Sequence, residues 1–223
     1  MKRRAAETAV DEVRDGMRLG LGTGSTAEEF LRALADRLAV GEISEIRATC
    51  TSTRTEALAR EFGIEVFTLE DLGEIDLAVD GADEIDRHLR LIKGRGGALL
   101  REKIVEQSAK RFLVIADETK LVERLGRGRL PVEVVRFATA HLLDRFRRLE
   151  LDPVLRLHAD EPFLTDEQHH IIDVTVPPGT EIASLADRLR RIAGVVETGL
   201  FATEATDAII GTPGGTTRMS RDG

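Results

Sequence analysis

Apolar residues follow two spacings along the first half of the chain. One recurs every three to four residues, which is typical of helices with one buried face, and the other is a short unbroken run, which is typical of buried strands. The expected elements, in order, are a helix over 3–14, a strand over 17–21, a helix over 27–39, a strand over 46–50, a helix ending at Phe62, strands over 64–67, 75–79 and 89–92, a helix over 97–110 and a strand over 112–116. Because strands and helices alternate, we expect an α/β protein with a mostly parallel sheet and helices on both faces.

The pattern changes after residue 130. The elements expected there are strands over 132–135, 153–158, 171–176 and 195–200, and helices over 138–149 and 181–193. Their order is β-α-β-β-α-β, which is typical of ferredoxin-like domains. The sequence therefore predicts two domains, one formed by 1–127 together with 200–223, and a smaller one formed by 128–199. A last strand within 208–217 is expected to rejoin the first domain.

Composition narrows the class of protein. The chain has 223 residues, 42% of them apolar, which is enough to bury a substantial core. The formal net charge is -8 and no basic face is found, which argues against nucleic-acid binding. No apolar run is long enough to span a membrane, and the Met-Lys-Arg-Arg start lacks the apolar segment of a signal peptide. With a single cysteine, Cys50, we expect a cytosolic protein.

A glycine-rich turn, residues 20–26, lies between the first strand and the following helix. Gly24 and its neighbours allow close approach of a ligand to the backbone, and Thr23, Ser25 and Thr26 supply hydroxyls at a helix start, where anions bind. Ser25 stands where a dinucleotide motif needs its third glycine, and no lysine follows as in a P-loop. A phosphate site and an ordinary capped turn both remain open. The hydroxyls of 51–53, after the next strand, allow a second wall of that site or a simple helix cap.

An acidic segment, Asp80–Asp86, directly follows an apolar strand. Four carboxylates at a strand end allow three interpretations: a divalent metal site, hydrogen bonds to sugar hydroxyls, or a solvated turn. The spacing does not match a calcium-binding EF-hand loop.

A second glycine-rich segment, Lys93–Lys103, runs from a loop into a helix. Glu102 shares a helical face with Ala98 and Val105, so this carboxylate lies on an apolar stripe. It is either an ion-paired edge residue or a general base whose pKa is raised by burial and lowered by a nearby ammonium. Lys120 follows another strand end, where a phosphate ligand is useful.

Together, these motifs resemble ribose-5-phosphate isomerase of the A type. The matching segments are Gly-Thr-Gly-Ser-Thr at 22–26, Val-Asp-Gly-Ala-Asp-Glu at 79–84, Lys-Gly-x-Gly-Gly-Ala-Leu at 93–99, Arg-Glu-Lys-Ile-Val at 101–105, Ala-Asp-x-x-Lys at 116–120, Pro-Val-Glu-Val at 131–134, and shorter matches at 194–196, 199–201 and 210–213. Each segment is weak alone, and their order and spacing make the resemblance specific.

The resemblance implies a Rossmann-like, mostly parallel sheet domain with a smaller ferredoxin-like α+β lid domain. It implies a cytosolic enzyme of the pentose phosphate pathway that forms a homodimer or homotetramer and uses neither a cofactor nor a metal. It also implies a pentose phosphate substrate, with Glu102 as the proton-shuttling base, Lys93 as the cation that stabilises an enediolate, and Asp80 and Asp83 as acids for ring opening and the O1/O2 protons. The substrate contacts that it implies are Thr23, Gly24, Ser25, Thr26, Gly81, Ala82, Gly94, Arg95, Gly96, Lys120 and Lys2.

One residue departs from the family pattern. Arg95 stands where a glycine is expected, and its side chain either crowds the sugar or points outward.

Two other classes of protein compete with this family resemblance. An aminosugar-phosphate deaminase-like enzyme does not fit the Lys93 loop followed by Arg-Glu-Lys, and a sugar-phosphate sensor of a transcription regulator needs a DNA-binding helix-turn-helix, for which residues 1–16 are too few.

Overall fold

The structure, a computed structural model, describes residues 1–221. The strands are β1 (Arg18–Leu21), β2 (Arg47–Cys50), β3 (Leu77–Asp80), β4 (Glu84–Ile85), β5 (Leu91–Ile92), β6 (Phe112–Asp117), β7 (Leu130–Val134), β8 (Val154–Leu155), β9 (Leu157–His158), β10 (Glu161–Pro162), β11 (His170–Val174), β12 (Val195–Thr198), β13 (Leu200–Phe201), β14 (Asp207–Gly211) and β15 (Thr216–Ser220). The helices are α1 (Lys2–Val10), α2 (Ser25–Ala39), α3 (Thr53–Glu61), α4 (Leu69–Leu72), α5 (Leu99–Gln107), α6 (Thr139–Arg148) and α7 (Ile182–Arg190).

The main sheet has six strands in the order β15-β14-β6-β3-β1-β2. All neighbouring pairs are parallel except the edge pair β14–β15. Every residue of β3 and β6 is buried, because helices cover both faces of the sheet. On α2, Phe30, Leu31 and Leu34 face the core at helical spacing. The mostly parallel α/β fold expected from the sequence is confirmed.

The smaller sheet has four antiparallel strands in the order β12-β7-β11-β8. Numbered within this part of the chain, that is the order 4-1-3-2 of a β-α-β-β-α-β unit, the ferredoxin-like topology. Leu142 and Phe146 of α6 and Leu185 and Leu189 of α7 are buried in one apolar cluster with this sheet. After it, β14 pairs with β6 in the main sheet. The boundaries of the two domains stay a prediction.

A third sheet, β13-β5-β4, lies where the two parts of the chain meet. Leu200 pairs with Ile92, so β5 is held beside the end of the ferredoxin-like segment. This pairing fixes the position of Lys93, which directly follows β5 and donates its backbone N–H to Gly199 O at 2.9 Å.

Several predicted elements differ from the observed ones. The strand expected over 64–67 is one bridge, between Val66 and Ala48. The strand expected over 153–158 divides, because Leu157–His158 leaves the sheet to form a hairpin with β10. The helix expected over 97–110 ends at Gln107, since Lys110 N donates to Ile75 O instead of continuing the helix. No helix among residues 1–221 is both long and apolar enough to cross a membrane.

Substitutions of Phe146 and Phe137, compared as a matched pair, test the packing of the ferredoxin-like core. Phe146 is completely buried and Phe137 is completely exposed. We expect Phe146→Ala to lower the free energy of unfolding by about 3–5 kcal/mol, because it leaves a cavity, and Phe137→Ala to change it by less than about 0.5 kcal/mol. Urea unfolding monitored by circular dichroism measures both values. Equal losses in the two variants would contradict the packing described here.

Candidate active site

A cavity of about 340 Å³ lies beyond the carboxyl ends of the main-sheet strands. Its lining residues are Lys2, Thr23, Gly24, Ser25, Thr26, Gly81, Ala82, Asp83, Lys93, Gly94, Arg95, Gly96, Glu102 and Lys120. These are all of the site residues expected from the sequence except Asp80, which lies just behind the cavity wall. The structure therefore brings the predicted residues together, and their individual roles stay predictions.

Parallel strands explain why these distant segments converge. β1 runs into the turn at Gly22, β3 ends at Asp80, and β6 ends at Asp117, and all three strands are parallel neighbours. Loops that follow such strands therefore leave the sheet at the same edge.

The turn at Gly22 is shaped around Asp80. A Cβ atom at Gly22 would lie only 2.1 Å from the carboxylate carbon of Asp80, so no larger residue fits there. Asp80 Oδ1 accepts hydrogen bonds from Thr23 N at 3.0 Å and Gly81 N at 2.6 Å. These two backbone donors fix the position of the Asp80 carboxylate.

Hydroxyl groups support the turn from behind. Thr23 Oγ1 lies 2.7 Å from Thr51 Oγ1 and 2.8 Å from Ser52 Oγ, and Thr55 Oγ1 donates to Gly22 O. Thr51 and Ser52 are buried and do not line the cavity. Thr51 and Ser52 therefore support the turn instead of forming a second wall, and Ser52 also caps α3. Thr53 is exposed and bonds to Asp166.

One end of the cavity is basic. Lys2 Nζ donates to Ser25 Oγ at 2.9 Å, and Lys120 lies at the same end. Burial alone would raise the pKa of Asp117, but hydrogen bonds from Thr119 and the charges of Lys120 and Lys2 together lower it below its ordinary value. Both lysines line the cavity together with Ser25, the first residue of α2, which Gly24 (φ +106°) precedes.

The carboxylates of the acidic segment have different partners. Asp83 Oδ2 accepts from Arg95 N at 2.9 Å and faces the cavity. Glu84 is buried and accepts from the N–H groups of Gly126 and Gly128 at 2.7 and 2.5 Å, in the segment that joins the two parts of the chain. Asp86 binds the backbone and side chain of Arg90. Glu84 and Asp86 are thus structural, and Asp80 and Asp83 belong to the site.

Lys93 forms the centre of a buried charge cluster. Its Nζ lies 2.8 Å from Asp80 Oδ2, 2.9 Å from Glu106 Oε1 and 3.7 Å from Glu102 Oε2, and it donates to Gly81 O at 2.8 Å. The side chains of all four charged residues are at most 6% exposed. One ammonium among three carboxylates leaves an excess of negative charge in a place from which water is largely excluded.

This excess of charge shifts the protonation equilibria. Burial would lower the pKa of Lys93, but the three carboxylates raise it above its ordinary value, so the ammonium stays charged. Burial raises the pKa of Glu102 to about 8, against the opposing effect of Lys93 and with a further rise from Asp80 and Asp83. Burial likewise raises the pKa of Glu106 well above its usual range. Glu102 and Glu106 are therefore the members of the cluster whose carboxylates bind a proton more readily than an ordinary glutamate does.

Glu106 was missed by the sequence analysis. It is four residues after Glu102 on α5 and therefore lies on the same helical face, a spacing that was visible in the sequence. Lys103, by contrast, faces away from the cavity. Its buried Nζ donates to Thr198 O at 2.8 Å and Leu200 O at 2.7 Å, so it attaches α5 to the ferredoxin-like segment.

The glycine loop after Lys93 presents its backbone to the cavity. Gly94 has a φ of +103°, which favours glycine. The side chain of Arg95 is 75% exposed, and its Nε lies 3.8 Å from Asp83 Oδ1. Among residues 1–221 no protein group accepts a hydrogen bond from the N–H of Gly96, which lines the cavity. Arg95 therefore leaves the loop backbone open to a ligand.

Metal binding is not supported by the side-chain arrangement. Within the described part of the chain, no group of three or more His, Cys, Asp or Glu residues is placed to hold a metal ion. The ammonium of Lys93 occupies the position between Asp80, Glu102 and Glu106 where a cation would lie.

A basic pocket next to a carboxylate with a raised pKa and a buried ammonium is typical of enzymes that move protons on small anionic substrates. A family model described as ribose 5-phosphate isomerase A (phosphoriboisomerase A) matches residues 47–215. The chain belongs to this family and is an aldose–ketose isomerase.

Individual relatives agree over nearly the whole chain. Ribose-5-phosphate isomerase A of Sinorhizobium medicae (strain WSM419) is 50% identical over 221 residues, which cover 96% of this chain and 95% of the relative. That of Roseiflexus castenholzii (strain DSM 13941 / HLO8) is 51% identical, with coverage of 96% and 92%. A solved D-ribose-5-phosphate isomerase in complex with phospho-erythronic acid is 39% identical, with a TM-score of 0.95 and coverage of 99% and 97%. The homo-oligomer and the cytosolic location expected from the resemblance stay predictions.

The raised pKa of Glu102 predicts a pH-dependent stability. The pKa of Glu102 is about 8 in the folded state and 4.5 in an unperturbed glutamate. The unfolded chain therefore ionises first as the pH rises from 4.5 to about 8, and the folded state loses stability over this range. Glu102→Gln removes the ionisation. We expect the variant to match the parent protein near pH 4.5 and to exceed its free energy of unfolding by a few kcal/mol at pH 9, at about 1.4 kcal/mol per pKa unit.

Urea unfolding at several pH values measures this difference, with Glu123→Gln, an exposed site, as the control expected to show no such trend. If the Glu102→Gln variant is less stable than the parent at pH 9, the effect of Lys93, which lowers the pKa of Glu102, is larger than the effect of burial, which raises it.

Proposed function

We propose that this enzyme interconverts D-ribose 5-phosphate and D-ribulose 5-phosphate through a cis-enediolate intermediate. The observation that carries the proposal is that Glu102, a carboxylate with a pKa of about 8, reaches the same cavity as a buried charged lysine and a cluster of anion-binding groups. A pentose phosphate has both features that this cavity selects, a dianionic group at one end and an acidic carbon-bound proton at the other.

The phosphate is assigned to the basic end. Lys2 and Lys120 supply charge there, and Ser25 and Thr26 begin α2 with backbone N–H groups that no side chain caps. A helix start of this kind favours phosphate oxygens.

The proton transfer is assigned to Glu102. Its ionised carboxylate removes the proton from C2 of the open-chain aldose, the electron pair forms the C1–C2 double bond, and O1 becomes the oxyanion. The same carboxylate, now protonated, returns the proton to C1 while O2 loses its proton to form the C2 carbonyl and O1 gains one, so no net oxidant or reductant is needed. A pKa of about 8 suits a base that must both take and return a proton near neutral pH.

The oxyanion requires fixed positive charge or N–H donors. Lys93 lies 3.7 Å from Glu102, and the free N–H of Gly96 lines the same cavity. Donors that are already in place stabilise the enediolate without reorganisation. Asp83, which also faces the cavity, is assigned to the proton exchange at the sugar oxygens, and Asp80 to holding Lys93 charged.

A related structure supports the substrate class. The relative of 39% identity is described in complex with phospho-erythronic acid. An acid of this kind carries a phosphate and a planar carboxylate whose charge is shared by two oxygens, as in an enediolate. Because this acid resembles the proposed enediolate, its binding to a relative supports the proposal that the site of this chain binds such an intermediate.

The first test is direct turnover. The purified protein, incubated with ribose 5-phosphate, EDTA and no nucleotide, is expected to form ribulose 5-phosphate, which is followed by ketose absorbance. Unchanged activity after exhaustive chelation is expected because Lys93 supplies the positive charge. A folded protein that binds the sugar phosphate without converting it would contradict the proposed reaction, and activity restored only by a divalent ion would contradict the role of Lys93.

The second test addresses the base. We expect Glu102→Gln to lower kcat by about 10²- to 10⁴-fold, the range for loss of a general base, while the KM for ribose 5-phosphate changes much less. In the parent enzyme kcat/KM is expected to rise with pH through about 8, because Glu102 must be ionised. This apparent pKa belongs to the coupled cluster. The control is again Glu123→Gln, and near-full turnover by a folded Glu102→Gln enzyme would exclude Glu102 as the base.

A further inference from the structure

Arg156 is an interior arginine of the ferredoxin-like part, located between β8 and β9. Its guanidinium forms a two-point ion pair with Asp173 of β11, with Nε 2.9 Å from Oδ2 and Nη2 2.5 Å from Oδ1. Both side chains are less than 20% exposed. A fork of this kind fixes the plane of the guanidinium and therefore the direction of its remaining donors.

The remaining donor points at the glycine loop. Arg156 Nη1 donates to Gly94 O at 2.6 Å and to Arg95 O at 3.2 Å. The first of these carbonyls also accepts the N–H of Gly97, which closes a tight turn. One side chain from a different sheet therefore binds two successive peptide groups directly after Lys93.

Peptide geometry extends this contact to the site. In a trans peptide the carbonyl and the following N–H point in opposite directions, and the chain has no cis peptide bond among residues 1–221. The Gly94–Arg95 peptide is thus held from both sides, by Arg156 on its oxygen and by Asp83 on its N–H at 2.9 Å. In the next peptide, the carbonyl of Arg95 faces Arg156, so the N–H of Gly96 points the other way, toward the cavity.

A second contact from the same part of the chain restricts the loop. The ring of Phe163 packs so closely on Gly97 that a Cβ there would lie 2.3 Å from it. The loop is therefore bounded by an aromatic ring at one end and by a fixed guanidinium along its outer side.

We propose that Arg156 is a positioning residue for the isomerisation. It orients the N–H of Gly96 toward the developing oxyanion and aligns Asp83 with the sugar oxygens, although it touches neither substrate nor cavity. This inference rests on the proposed function. The opposing interpretation is that Arg156 only joins two sheets, which would affect stability and not the rate of the chemical step.

The test compares three variants by kcat, KM and thermal stability. Arg156→Met removes the guanidinium, and Arg156→Lys keeps the charge but cannot bind Asp173 and two carbonyls together. The matched control is Arg129→Met, which removes the arginine directly before β7 that bonds to Asp152 and to the backbone of Asp173 but not to the loop. We expect kcat to fall about 10- to 100-fold in both Arg156 variants, as small misplacements of reacting groups do, with KM changed less than threefold. The Arg129 control should stay within about twofold of the parent.

Two further measurements separate the possible outcomes. Amide hydrogen exchange of a peptide containing residues 93–97 is expected to be faster in Arg156→Met than in the parent, and affinity for phospho-erythronic acid is expected to fall in parallel with kcat. Lower thermal stability with unchanged kcat would overturn the proposal. If Arg156→Met does not fold, Arg156→Lys and Asp173→Asn test the same contact. If the parent enzyme itself does not convert ribose 5-phosphate, the proposed function fails, and unchanged loop exchange would separately refute the role of Arg156.

Discussion

The ammonium of Lys93 lies buried within 3.7 Å of three carboxylates. Removing such a cation from water costs several kcal/mol, so only the opposite charges around it keep it ionised there. The carboxylates come from the end of β3 and from two turns of α5, whereas Lys93 follows β5. The position of the loop, the start of α5 and the end of β3 therefore depend on one electrostatic arrangement, and removing Lys93 leaves buried carboxylates without a counter-charge.

The same arrangement determines which group is basic. Three acids share one cation, so at least one of them must hold a proton in the absence of water. Asp80 accepts two backbone N–H bonds, whereas among residues 1–221 no backbone N–H donates to the carboxylate of Glu102 or Glu106. Of the two, Glu102 lines the cavity and Glu106 does not. The basicity of Glu102 thus comes chiefly from its burial, with a further contribution from the neighbouring carboxylates Asp80 and Asp83.

The fold, and the grouping of the polar loops around one cavity, were predictable because both depend on local signals, whereas the roles of the site residues came from the family resemblance and stay predictions. The alternation of strands and helices predicted the parallel sheet, and glycine turns and polar residues after apolar strands predicted which loops meet at its edge. The partners within each loop were not predictable in this way. Glu84 and Asp86 share the acidic segment with Asp83, yet they bind backbone groups, since the direction of each side chain depends on strand pairing. Arg156 was missed because it is 62 positions from Gly94 and no local pattern marks it.

The contacts between the two parts of the chain explain why the unusual Arg95 is tolerated. Arg156 binds backbone carbonyls, and Asp166 accepts the N–H and the hydroxyl of Thr53 at the start of α3, at 2.8 and 2.9 Å. These contacts recognise backbone and helix ends, so they do not depend on the side chain at position 95. Since the proposed oxyanion donor is also a backbone N–H, an exposed side chain at 95 leaves the donor and its support in place, and its Nε lies 3.8 Å from Asp83 Oδ1. The family's expected glycine at this position is therefore replaceable, whereas Gly94 and Gly97, with φ of +103° and +83° and side chains packed against them, are not.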